Sequence, residues 1–205
     1  MSSFNIYNQD CMEAMKSMPD KAYGLAIVDP PYGLGIDGQK ESKKGKKSDR
    51  KGHAQKDWDN AIPKAEYFEQ LFRVSKNQII WGGNYFNLPA TRCVICWDKM
   101  QPWPNFSAWE YAWTSFDYPA KLFKYDNRTG GKIHPTQKPV ALYNWILRNY
   151  AKPGQRILDT HLGSGSSAIA AHYFGCDFVG CEIDVDYFNA ARERFDRETR
   201  QVAMW

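Results

Sequence analysis

The stretch Arg156-Ile157-Leu158-Asp159-Thr160-His161-Leu162-Gly163-Ser164-Gly165-Ser166 joins an apolar run to a helical one through a glycine-rich turn. It predicts a strand over 156–159 and a helix over 166–174, stopped by Gly175. Glycines in such a turn let the backbone pass close to a ligand, and the helix start offers unpaired N–H groups. The next apolar run, 178–181, ends at Glu182, 17 residues after Gly165. An acid at a strand's carboxyl end, at that distance, can accept hydrogen bonds from two ribose hydroxyls. The turn has too few glycines for a dinucleotide fingerprint and lacks a P-loop lysine. A ligand with ribose and adenine but no pyrophosphate fits best. Taken alone, the Gly-x-Gly is equally an ordinary tight turn.

Outward from this unit the same alternation continues. Strands are expected at 4–8, 24–28, 78–81 and 92–97, and helices at 11–18, 64–74, 139–150 and 185–198. Asp10 with Glu13 reads as a capping box, and Pro63 and Pro139 suit first helical turns. The aromatic stretch 102–125 has no clear period, and Trp205 has no place in the pattern. Short strands alternating with amphipathic helices imply one α/β domain over 1–205, with a mostly parallel sheet and helices on both faces.

No run approaches the ~18–20 apolar residues of a membrane span, and the start lacks the basic-then-apolar pattern of a signal peptide. A cytoplasmic protein, prokaryotic or phage-encoded, is expected. The five cysteines do not suggest a disulfide framework. Cys93 and Cys96 lie on one strand, where residues three apart face opposite ways, and no second pair completes a metal site. His53, His134, His161 and His172 show no ligand spacing, so no metal is expected. Net charge is +4, yet residues 40–56 hold eight Lys/Arg against two acids. This loop, inside a polar segment at 33–62, carries the chain's basic character. Its Lys43, Lys44, Lys46, Lys47, Arg50 and Lys51 are candidate phosphate contacts, with a merely solvated loop as the alternative.

Two further segments carry chemistry. Asp29-Pro30-Pro31-Tyr32 follows the strand at 24–28 directly. The prolines fix the backbone and remove two donors, leaving carbonyls free to accept. With a carboxylate and a flat ring added, the set suits a planar group bearing NH₂. A strand-ending turn with a packed tyrosine is the plainer alternative. His134-Pro135-Thr136-Gln137-Lys138-Pro139 leads into a helix, and alone reads as a proline-bracketed helix start.

Together the three segments resemble the DNA amino-methyltransferases, specifically the circularly permuted β group. There Asp-Pro-Pro-Tyr comes first, then His-Pro-x-x-Lys-Pro, then the cofactor loop, as here. The resemblance spans nearly the whole chain and implies a Rossmann-like S-adenosylmethionine-dependent methyltransferase fold with a seven-stranded sheet. It places the 156–159 strand beside the 24–28 strand, so that the two distant loops face one crevice. It implies S-adenosylmethionine as cofactor, over Asp159, His161, Gly163, Ser164 and Gly165, with Glu182 on its ribose. Asp10 and Cys11 would border its adenine, and Thr136 and Lys138 its methionine end. Asp29, Pro30, Pro31 and Tyr32 would be catalytic, receiving a flipped DNA base. Asp29, where permuted cytosine enzymes more often carry serine, points to adenine N6. Cytosine N4 is the alternative, and a catalytically silent phage DNA-binding module the alternative of another class. Two departures stand out: Asp159-Thr160-His161 replaces the usual Asp-Pro-Phe, and the target-recognition region, 114–133, is short. DNA is the implied partner, in a restriction-modification or mobile-element setting. A chain this small covers little duplex alone, which is compatible with a homodimer.

Overall fold

The computed structural model describes residues 2–36, 56–102, 104, 107–126 and 132–200. Lys43, Lys44, Lys46, Lys47, Arg50, Lys51 and His53 lie outside the described residues, as does Trp205.

In chain order the elements are β1 (Phe4–Asn8), α1 (Cys11–Lys16), β2 (Tyr23–Val28), α2 (Ala65–Val74), β3 (Ser75–Trp81), β4 (Val94–Asp98), β5 (Trp109–Thr114), β6 (Lys121–Lys124), α3 (Val140–Tyr150), β7 (Arg156–Asp159), α4 (Ser166–Phe174), β8 (Asp177–Glu182) and α5 (Val185–Thr199). The punctuation expected from sequence sets several boundaries. The Asp10 carboxylate accepts the Met12 and Glu13 amides at 2.9 and 3.0 Å, while Glu13 pairs with Lys16 at 3.3 Å. Pro139 stands at the N-cap of α3. Gly165 and Gly175 bracket α4 in the left-handed region, at φ 73° and 78°.

The strands form one sheet in the order β1-β8-β7-β2-β3-β5-β4-β6. From β1 to β3 all pairings are parallel, whereas β5 runs antiparallel to β3 and β4. The described sheet therefore has eight strands, correcting the expected seven. The strands without a counterpart in the sequence reading are β5 and the edge strand β6, parallel to β4. Its four residues, Lys-Leu-Phe-Lys, are too few to show a period.

Side chains leave the sheet alternately, and each face is covered. Leu25, Ile27, Ile79 and Trp81 join the layer of α3 and α4, whereas Ala26, Val28, Ile80 and Leu158 join that of α1 and α2. Burial on both sides explains why β2 reads as a continuous apolar run. Cys93 packs with Ile95 and Trp97 on one face while Cys96 is half-buried, and all five thiols are free. Among the described residues no helix is long and apolar enough to cross a membrane.

Strand β2 pairs with β7 through Leu25–Ile157 and Ala26–Leu158. From β7 the chain departs through α4 on one face, and from β2 through α2 on the other. Such a divergence opens a crevice at the strands' carboxyl ends, where open α/β sheets bind ligands.

Candidate active site

Asp29 and Pro30 follow the last residue of β2, so their position is fixed by the sheet. The Asp29 carboxylate is engaged at both oxygens. The Tyr32 hydroxyl donates to Oδ1, and the Lys138 ammonium to Oδ2. The Tyr32 ring stacks on Tyr85, with centroids 4.9 Å apart and planes at 17°. Gly82, just past β3, has φ 69°, and a Cβ there would lie 2.2 Å from the Tyr32 ring, so only glycine fits. Burial, and then the Asp29 charge, holds the Tyr32 hydroxyl well above its ordinary pKa.

Asp59, from the far end of the polar loop, organises this turn. Its Oδ1 accepts the amides of Tyr32 and Gly33 at 2.8 and 3.0 Å, and its Oδ2 that of Ile36 at 2.9 Å. Asp59 is 3% exposed. Nothing in sequence spacing marked it, because its partners are backbone amides 23 to 27 residues away.

The glycine-rich loop is built from its own polar groups. Asp159, 2% exposed, accepts the His161 amide at 3.0 Å and the Ser167 hydroxyl at 2.5 Å. Burial pushes its carboxyl up to about 7. Glu182, ending β8, accepts the Gly163 amide at 2.8 Å and the Asp184 amide at 3.0 Å, and burial raises its pKa against those amides. The Arg194 guanidinium of α5 donates to the Ser164 carbonyl at 3.0 Å. The unusual Thr160-His161 pair has a structural account. The Tyr67 hydroxyl lies 2.6 Å from Thr160 Oγ1, which lies 2.9 Å from His161 Nδ1. The His161 ring meets Tyr67 edge-on at 5.4 Å, and burial lowers its pKa to about 4. A neutral imidazole thus stands as a flat ring where the resembled family has phenylalanine.

The His134–Pro139 segment ties the two loops together. The Thr136 hydroxyl lies 3.1 Å from His134 Nδ1, and the His134 ring lies 3.8 Å from a Cβ placed on Gly163. The Lys138 carbonyl accepts the Ser166 hydroxyl at 2.8 Å, while its side chain crosses to Asp29. A cleft of about 260 Å³ has Pro31, Cys11, Tyr67 and His161 in its walls. Motif residues far apart in sequence therefore share one crevice. A larger concavity, about 530 Å³ around Lys76, Arg92 and Trp113, lies at the opposite end of the sheet and is lined by none of them. Among the described residues no three His, Cys, Asp or Glu side chains gather as a metal site.

The crevice suits a cationic nucleoside. Cys11 lines the cleft, Glu182 stands half-buried at a strand's carboxyl end, and Asp159, whose pKa stands near 7, gains from a nearby positive charge. A mostly parallel sheet with helices on both faces and this crevice is the S-adenosylmethionine-dependent methyltransferase fold, here with eight described strands. Within that class the chain is similar to the DNA amino-methyltransferases. Residues 117–193 match the DNA methylase family model whose members are grouped as N6 and N4 enzymes. The type II methyltransferase M2.MboI of Moraxella bovis is 26% identical, over 96% of this chain and 89% of that protein. The type II methyltransferase M.HinfI of Haemophilus influenzae is 23% identical, over 92% and 67%. Among solved structures, the M1.HpyAVI–SAM complex superposes with TM-score 0.64 at 19% identity, covering 94% of this chain and 99% of that one. PvuII DNA methyltransferase (cytosine-N4-specific) gives 0.65 at 14%, covering 98% and 93%. At these identities the two structures speak for the fold.

Proposed function

We propose that this chain transfers a methyl group from S-adenosylmethionine to the exocyclic N6 amine of adenine in DNA. One observation carries the reading: the Asp29–Tyr32 turn and the glycine-rich loop end adjacent parallel strands and border one cleft. The N6/N4 family match and the type II relatives support the amino-methyltransferase class. Asp29 supports adenine over cytosine. A catalytic strand that precedes the glycine-rich half supports the permuted arrangement.

Bound S-adenosylmethionine supplies an electrophilic methyl carbon, and Glu182, the Gly163–Gly165 turn and the Cys11 border would hold the molecule that carries it. The target base must leave the duplex to reach the crevice. Its amino hydrogens are accepted by Asp29 Oδ1, which the Tyr32 hydroxyl now occupies, and by the Pro30 carbonyl. Those bonds orient the nitrogen lone pair and favour positive charge building on nitrogen. The freed Tyr32 ring is the stacking surface. No covalent enzyme intermediate is required, and Asp29 need not be a strong base, since the proton leaves after the methyl arrives.

Calorimetric titration with S-adenosylmethionine, followed by sequencing of modified bases in DNA from cells expressing the protein, tests the reading. Saturable binding and methyladenine support it. Methylcytosine would move the reading to N4, and no binding would leave a silent module.

Two expected results follow from charge. A cationic ligand favours the ionised form of the Asp159 carboxyl, whose pKa stands near 7 in the free protein. Binding therefore releases a proton below that pH. Affinity is expected to fall by up to about fivefold from pH 7 to pH 6 and to level off above pH 8, read by calorimetry in buffers of different ionisation enthalpy. A flat profile would remove Asp159 from the binding field. Replacing Lys43, Lys44, Lys46 and Lys47 with glutamine is expected to weaken DNA binding. It should also reduce the slope of log affinity against log salt by up to about 3–4. An unchanged slope would return the loop to solvation.

A further inference from the structure

The Lys138 side chain is 3% exposed and lies between two carboxylates. Its ammonium donates to Asp29 Oδ2, stands 3.0 Å from Glu110 Oε2, and sits 5.2 Å from the centroid of the buried Trp81 ring. Glu110, on β5, is held on its other oxygen by Lys99 at 2.5 Å. Asp29, Lys138, Glu110 and Lys99 thus form a charge-balanced chain running from the reacting edge of the sheet into the β4–β5 hairpin. Burial opposes the charges of Glu110 and Lys138. The two lysines nevertheless hold Glu110 down at about 2, and the carboxylates raise Lys138.

Burying four charges is costly unless their geometry is fixed. An acceptor for an amino group needs one oxygen ionised, aimed and unclaimed. Lys138 takes Oδ2 and leaves Oδ1 to a partner that can move, the Tyr32 hydroxyl. We infer that Lys138, itself anchored by Glu110 and Lys99, is a positioning residue that fixes which oxygen of Asp29 receives the target amine. The inference rests on the proposed methyl transfer. It gives the lysine of the His-Pro-Thr-Gln-Lys-Pro segment a role on the base side of the crevice, whereas the segment's His134 lies against Gly163 of the glycine-rich loop.

The groups acting on the Asp29 carboxylate are Tyr32 on its own loop, Lys138 ahead of α3, Glu110 on β5, Tyr143 on α3, Tyr67 on α2 and Asp159 on β7. Only Lys138 among them brings a positive charge.

The test uses the full chain and three variants, Lys138→Gln, Lys138→Arg and Glu110→Gln. Each is measured for S-adenosylmethionine binding and for kcat and KM on duplex DNA, with kcat expressed per cofactor-binding molecule. Lys138→Gln is expected to bind the cofactor normally and lose about a hundredfold in kcat. Lys138→Arg should recover part of the rate. Glu110→Gln, which would touch neither cofactor nor base, should lose about tenfold in kcat with KM unchanged. If Lys138→Gln does not fold, a lowered kcat with normal cofactor affinity in Glu110→Gln supports the inference, and a wild-type kcat there overturns it. A wild-type kcat in Lys138→Gln overturns it, and so does a loss confined to cofactor affinity. Absence of methyl transfer by the wild-type protein would sink the proposed function instead.

Discussion

Replacing Asp29 with alanine is expected to lower methyl transfer at least about a thousandfold while S-adenosylmethionine still binds with wild-type affinity. Asp29 sits at the end of β2, and its carboxylate is held by Tyr32 and Lys138 rather than by any group of the glycine-rich loop. In the proposed mechanism, truncation removes the acceptor that orients the amine and the negative charge that favours its developing positive charge. It leaves Glu182, Gly163 and the Cys11 border intact. The fold should tolerate the change, because Lys138 keeps Glu110 as a partner. Asp29→Asn separates charge from shape, retaining one acceptor oxygen without the charge, and should fall between alanine and wild type. Single-turnover rates at saturating cofactor, beside calorimetric affinity, provide the check. Normal turnover in Asp29→Ala would remove this residue from the mechanism.

The second large effect is expected at a residue that carries no chemistry. Asp59→Ala strips three amides, those of Tyr32, Gly33 and Ile36, of their acceptor. An unmade buried hydrogen bond costs about 1–3 kcal/mol, more when the lost partner is charged. Some of these amides regain water once the turn loosens, so a net loss of about 2–4 kcal/mol in unfolding free energy is expected. The larger consequence is kinetic. Without Asp59 the Tyr32 ring and the Pro30 carbonyl lose their placement, and misplacement by about 1 Å can cost on the order of a hundredfold in rate. Denaturant unfolding gives the stability change, and kcat per cofactor-binding molecule gives the second. Asp59→Asn, which keeps an acceptor oxygen, should recover much of both. A stable but fully active Asp59→Ala would show that the turn holds its shape through its prolines alone.

Much of this arrangement is legible in the amino-acid order, for identifiable reasons. Strands β2, β7 and β8 are buried on both faces, so they read as apolar runs, and their ends are marked by Asp29, Asp159 and Glu182. Helix α4 is bracketed by glycines that adopt the left-handed conformation. Three motifs in fixed order then imply that β7 lies beside β2, which the register shows. What escapes the sequence depends on long-range pairing. Strand β6 becomes a strand only because β4 offers it an edge. Asp59 and Glu110 are unremarkable acids in polar or aromatic surroundings until folding places backbone amides or lysines against them. The role of Lys138 is hidden likewise, because its partner lies 109 residues earlier in the chain.

The proposed chemistry is tested most directly by incubating the purified protein with duplex DNA and S-adenosylmethionine carrying a trideuterated methyl group. The DNA is then digested to nucleosides and analysed by mass spectrometry. The account predicts trideuteromethyl label on the N6 of deoxyadenosine, formed by the wild-type protein and lost in Asp29→Ala. Label on the N4 of deoxycytidine alone would contradict the assignment to adenine, and no labelled nucleoside from a protein that binds the cofactor would contradict DNA amino-methylation altogether.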